Sequence, residues 1–280
     1  MRGLIVNADD FGFTEDVNAG IVLAHRQGIL TATTLMANGA AFQHAVALAA
    51  ENPTLDIGCH LVLVGGPSVL QPGRALPTSV GTMMAAVASG RLRVYPELDA
   101  QIRRIRAAGI QPTHLDTHKH THLFPPVLDA VARLSAAHGI AWVRRPFDFP
   151  MTGGPASTPW LVRLTSRALS AMRGRFHGVL HRHGCRTTDH FSGFQMTGRF
   201  HVKELAAWME QLPEGITEFM CHPGLCGSQL LAAPTRLKQS RALELEALIA
   251  PAVRQAVQTY GIELLRYRDL PLTGKPLCPA

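Results

Sequence analysis

Short apolar runs alternate with segments of helical periodicity from one end of the chain to the other. The runs Leu4–Ala8, Thr31–Met36, Asp56–Leu63, Thr113–Thr117, Ala141–Arg145, Glu218–Cys221 and Ile262–Tyr267 read as strands, each too short for a packed helix. Between them, Val17–Gln27, Ala41–Ala50, Glu97–Ala108, Val127–His138, Val202–Gln211 and Leu237–Thr259 repeat apolar residues at helical spacing. Gly28, Gly109, Gly139 and Gly261 follow four of these helices, where a left-handed C-terminal stop is expected. Repeated β-then-α units predict an α/β fold, a parallel sheet under crossover helices. Seven such units favour a TIM-like (β/α) barrel, distorted or seven-stranded, over an open sheet. One domain over residues 1–280 is expected, with irregular blocks at Gly65–Gly90 and Asp148–Asp189 and a basic helical insert at about 150–188.

The polar residues that interrupt this pattern collect at one place in each unit. Asp9-Asp10 follow the first strand, His60 falls late in the third, Asp116 and His118 end the next, and His222 follows Glu218–Cys221. All sit at the C-terminal ends of strands, where barrels of this kind build their sites. The segment His114-Leu115-Asp116-Thr117-His118-Lys119-His120-Thr121-His122 repeats an ionisable residue at every second position. In a strand that spacing gives one polar face, and an apolar core does not accept such a row without partners. A divalent cation suits converging imidazole and carboxylate groups. Catalytic sites use two or three protein ligands and leave positions open, so His118 is the expected ligand and Asp116 its outer partner. His120 and His122 then fall in the loop, where substrate contact and ligation both remain open. Asp9-Asp10 alone is equally a turn or an N-cap pair; at a site, one carboxylate can bind a metal while its neighbour takes a proton. His222, an imidazole past a strand end, suits a general acid.

Several motifs occur in order: Asn7-Ala8-Asp9-Asp10-Phe11-Gly12, Gly58-Cys59-His60-Leu61, Thr113–His120, Thr188-Asp189-His190-Phe191 and Met220-Cys221-His222-Pro223-Gly224. Together they resemble the YdjC/ChbG-like carbohydrate deacetylases, over roughly residues 3 to 270. The resemblance implies a polysaccharide-deacetylase-like barrel with one divalent metal held by Asp10, His60 and His118, with Asp9 as base and His222 as acid. It implies hydrolysis of an N-acetyl group from an N-acetylglucosaminyl unit. Zn²⁺ suits two imidazoles and a carboxylate, with Mg²⁺ the alternative.

Charge narrows the partner. The chain carries a net +7. Six arginines (Arg163, Arg167, Arg173, Arg175, Arg182, Arg186) and no acid lie between Pro155 and Thr188. Three Trp and three Tyr are few for base stacking, and no nucleic-acid motif appears, so nucleic acid is not expected. Arg144-Arg145, expected near the substrate or behind the ligands, and the basic insert together resemble the hopanoid-biosynthesis branch, which implies a glycosylated hopanoid lipid as substrate. A soluble chitooligosaccharide is the alternative. Trp160–Arg167 begins an amphipathic run, with Leu161, Leu164, Ala168 and Met172 on one side and Arg163 and Arg167 on another. Such a helix can lie on an anionic membrane; the competing reading is a lid packed over the barrel. Five cysteines, an odd number, and an N-terminus that turns acidic at Asp9 point to the cytoplasm, at the inner face of the membrane. A metal- or nucleic-acid-binding protein without catalysis is the blandest alternative.

Overall fold

The protein is described here from a computed structural model, which covers residues 1–151 and 159–272. Eight strands are present among them: β1 (Arg2–Phe11), β2 (Ala32–Leu35), β3 (Asp56–Leu61), β4 (His114–Thr117), β5 (Trp142–Val143), β6 (His190–Ser192), β7 (Gly215–Cys221) and β8 (Ile262–Leu264). Seven of them run in the order β5-β4-β3-β2-β1-β7-β6, and β8 pairs with the start of β1. Every paired ladder is parallel. The result is a curled parallel half-barrel. The expected barrel does not close into a continuous ladder: Trp142 of β5 bridges Arg186 ahead of β6, and Asp148 beyond β5 bridges Phe191 of β6, each as an isolated pair. The reason is length, since β5 has two residues and β6 three.

The helical readings hold with shifts of a few residues at their ends, except in two places. The expected long helix Leu237–Thr259 divides into Gln239–Ile249 and Pro251–Thr259. Pro251 has no N–H to continue the ladder and opens the second helix instead. The block Gly65–Gly90 contains the helix Val80–Ala88, started by a Ser79/Thr82 capping box. Of the expected insert, residues 152–158 lie outside the described residues; the rest forms the helices Trp160–Ser170 and Arg173–Arg182.

Two apolar clusters sandwich the sheet. The larger packs outward-facing strand residues such as Leu4, Val6 and Ala8 beneath the helices. The smaller, with Ile5, Ala32, Trp142, Ile216 and Tyr267, plugs the inside of the curl. Strand side chains alternate between faces, so Asn7 and Asp9 follow Ile5 along the inner face. On β7, Glu218 follows Ile216. The concave face thus changes from apolar to charged toward the C-terminal strand ends. His114 occupies this polar layer, stacked on Tyr267 at 3.9 Å between ring centroids. Gly58 makes room for it: a Cβ there would lie 2.6 Å from the imidazole.

Candidate metal centre and active site

A β-bulge builds the first part of the site. The β1–β2 register shifts between Ala8 and Phe11, and Asp10 takes φ +72°, a left-handed conformation uncommon outside glycine. This irregularity lets both neighbouring carboxylates serve the interior. Asp9 turns to Arg144, whose Nη1 and Nη2 donate to its two oxygens at 2.8 and 2.7 Å. Asp10 turns to the imidazoles. Its Oδ1 lies 3.4 Å from His60 Nε2 and 3.3 Å from His118 Nδ1, and those two nitrogens are 3.2 Å apart.

Pairing of β3 with β4 sets His60 beside Asp116, and His60 Nδ1 lies 2.7 Å from Asp116 Oδ1. That contact fixes the ring and leaves Nε2 facing Asp10 and His118. The strand stops at Thr117, as read from the sequence, and leaves His120 and His122 in the loop beyond it. Lys119 and His120 enter the left-handed region at φ 55° and 51°, and the every-second-residue row breaks there. Only His118 joins Asp10 and His60. His122 folds back, with Nδ1 2.5 Å from Thr117 Oγ1 and Nε2 3.1 Å from the Arg144 carbonyl. His120 lies between Phe191 and Phe194, its Nδ1 buried without a partner among the described residues.

Arg144 is not exposed for substrate. It is fully buried and pairs with Asp9, with Asp116 at 2.6 Å and with Glu218 at 2.7 Å. Arg145 is buried too and donates to the Asp189 carbonyl. Of the two placements expected for this pair, near the substrate or behind the ligands, Arg144 takes the second, against Asp9 and Asp116. Asp189 itself accepts the Ile216 N–H and holds β7.

Sequence reasoning missed two residues of the site. Arg241 Nη2 donates to Asp10 Oδ2 at 2.5 Å, so one oxygen of Asp10 is engaged while the buried Oδ1 faces only His60 and His118 among the described residues. Glu244 accepts the N–H groups of His222 and Gly198, and fixes the loop that carries His222. A signal was present: Arg241, Glu244, Leu245 and Leu248 share one buried helical stripe, where opposite charges have no apolar purpose.

Charge balance shows what the cluster lacks. Against burial, which pushes it down, the Asp116 and Asp9 carboxylates raise His60 to about 10. Burial would raise Asp9 and Asp10; Arg144 holds the first well below the usual carboxylate range, and Arg241 the second. The cluster favours positive charge at His60, which a bound cation would supply in place of the proton. Three donor atoms 3.2–3.4 Å apart match the edge of a tetrahedron with bonds of about 2.05 Å, roughly 3.3 Å, better than the roughly 2.9 Å of an octahedron. Asp10, His60 and His118 therefore fit a metal ion. Asp9, His60 and Asp116 also converge, but Arg144 already occupies both of those carboxylates. His222 Nε2 lies 3.9 Å from Asp9 Oδ2, and burial pushes the ring down to about 4. It is neutral at rest.

Fold and site define the class: an α/β protein with a candidate cation centre at the strand ends of a curled parallel sheet. The chain belongs to the YdjC-like protein family, which it matches over residues 3–259. It is 33% identical to a carbohydrate deacetylase of Brevibacillus brevis over 271 residues, 95% of this chain and 99% of that one. A chitooligosaccharide deacetylase of Klebsiella pneumoniae is 32% identical over 275 residues, 96% and 99% of the two chains. In fold it is similar to a crystal structure from Enterococcus faecalis named for cellobiose-phosphate cleavage. The TM-score is 0.72 at 24% identity, covering 96% of this chain and 98% of that one.

Proposed function

We propose that the protein is a metal-dependent hydrolase that removes the N-acetyl group from an N-acetylglucosaminyl unit. The carrying observation is one buried cluster that joins a three-donor cation site, Asp10, His60 and His118, to a second carboxylate and an imidazole. The two relatives named as deacetylases support the choice of reaction. A bound cation, with Zn²⁺ favoured by the donor spacing, would supply a polarising charge for the acetyl carbonyl and acidify water. Asp9, held by Arg144, receives the proton of the attacking water. His222, neutral and 3.9 Å from Asp9, relays that proton to the departing amine nitrogen. The carbon–oxygen bond forms first; once the nitrogen has taken the proton the carbon–nitrogen bond breaks, and acetate and a free amine result.

For the carrier of the sugar we propose a glycosylated hopanoid lipid, on the resemblance of the motif set and basic insert to that branch. A soluble chitooligosaccharide is the second reading, favoured by the name of the Klebsiella relative. Acetate release from N-acetylglucosaminyl substrates with and without a hopanoid tail, before and after chelation, tests both. Release that stops with chelator and returns with Zn²⁺ is expected, faster on the lipid. Chelator-insensitive release would overturn the metal chemistry, and equal rates would overturn the lipid preference.

A further inference from the structure

The helix Trp160–Ser170 is turned inside out for a packed helix. Its buried residue is Ser166, 8% exposed, while Trp160, Leu161 and Leu164 are 74%, 57% and 54% exposed. Trp160, Leu164, Ala168 and Leu161 share one arc at helical spacing, opposite Ser166, and Arg163 and Arg167 border that arc. The apolar stripe faces outward, so the reading of a lid packed over the barrel does not describe it. A single exposed apolar side chain needs no account, but an ordered stripe on one helix does. The stripe also lies in the most one-sided charge of the chain: no Asp or Glu occurs between Asp148 and Asp189, against six arginines.

We propose that this helix is a docking face for an anionic lipid surface. An interfacial helix buries aromatic and aliphatic side chains at headgroup depth while bordering arginines meet anionic headgroups. Trp160, with an apolar ring and a polar N–H, suits that depth. No helix among the described residues is long and apolar enough to cross a membrane, so this contact is peripheral. The position also serves the site. Ser166 Oγ accepts from Gln195 Nε2 at 3.3 Å, and Gln195 adjoins Phe194, which faces His120 beside the candidate centre. A lipid-linked sugar would thus meet the protein near the end of the sheet that holds the polar cluster. The docking face stands on exposure and charge, independently of the chemistry proposed above.

Co-sedimentation of the full chain with vesicles tests it. Binding to vesicles containing phosphatidylglycerol is expected, with little binding to pure phosphatidylcholine and loss of binding as salt rises. The variant Trp160→Ser/Leu161→Ser/Leu164→Ser should bind anionic vesicles at least ten-fold more weakly, as should Arg163→Gln/Arg167→Gln, with unchanged melting temperatures. Wild-type protein that stays in the supernatant at low salt would overturn the proposal. So would variants that bind as well as wild type, which would assign binding to the general +7 charge, or a dimer in solution that the triple variant abolishes. None of these readouts depends on acetate release, so failure of docking and failure of the proposed reaction are separate results.

Discussion

At the scale of single residues, adjacent side chains of one type do unlike work. Asp9 and Asp10 are neighbours in sequence, yet one is clamped at both oxygens by Arg144 and the other turns one oxygen to His60 and His118. Asp9→Asn should therefore retain bound metal and lose turnover by about 10²–10⁴, the usual contribution of a positioned base; metal content and acetate release measured together check this. Asp10→Ala, His60→Ala and His118→Ala should each lose the ion by elemental analysis, whereas His122→Ala should keep it. A retained ion in His118→Ala would reassign the third ligand. Arg241 engages one oxygen of Asp10 and leaves the other toward His60 and His118. Arg241→Met should weaken metal affinity by about 10–100-fold, the range for such outer partners, with partial recovery in Arg241→Lys by calorimetric titration.

At the scale of elements, the site depends on where strands stop. Thr117 ends β4, and the left-handed pair Lys119 and His120 turns the chain so that three histidines spaced by two residues reach three environments. Strand parity alone places them on one face; the turn separates them. His122 carries the clearest electrostatic mark of this. Burial pushes it down to about 3, so the folded ring resists a proton that the unfolded ring accepts near 6.5. A depressed folded value means that its contribution to stability is present above about pH 6.5 and lost as pH falls toward 3. His122→Gln should flatten part of the stability loss between those values in urea titrations at stepped pH, without change in bound metal.

Across the whole molecule, Arg144 ties β1, β4 and β7 together from inside the curl through Asp9, Asp116 and Glu218. Three buried carboxylates share this one guanidinium. Arg144→Met would leave them uncompensated, and a loss of about 3–5 kcal/mol in unfolding free energy is expected from removal of one partner of a buried ion pair. Chemical denaturation measures it. A loss under about 1 kcal/mol would mean that the carboxylates protonate or admit water at little cost. The same network lets the concave face be polar above its apolar plug: each of these carboxylates has a charged partner in place.

The alternation of apolar runs and helical periods determined the α/β class, the parallel sheet and most element positions, because those patterns answer only to local geometry and burial. The strand-end positions of Asp9, Asp10, His60, Asp116, His118 and His222 were legible for the same reason. What the tertiary structure alone decided is how those side chains pair. Arg144 lies 135 residues from Asp9 and Arg241 lies 231 from Asp10, and no local pattern ranks such partners. The bulge at Asp10, the turn after Thr117 and the incomplete β5–β6 closure were likewise settled by packing, since each is a departure from the periodicity that made the rest readable.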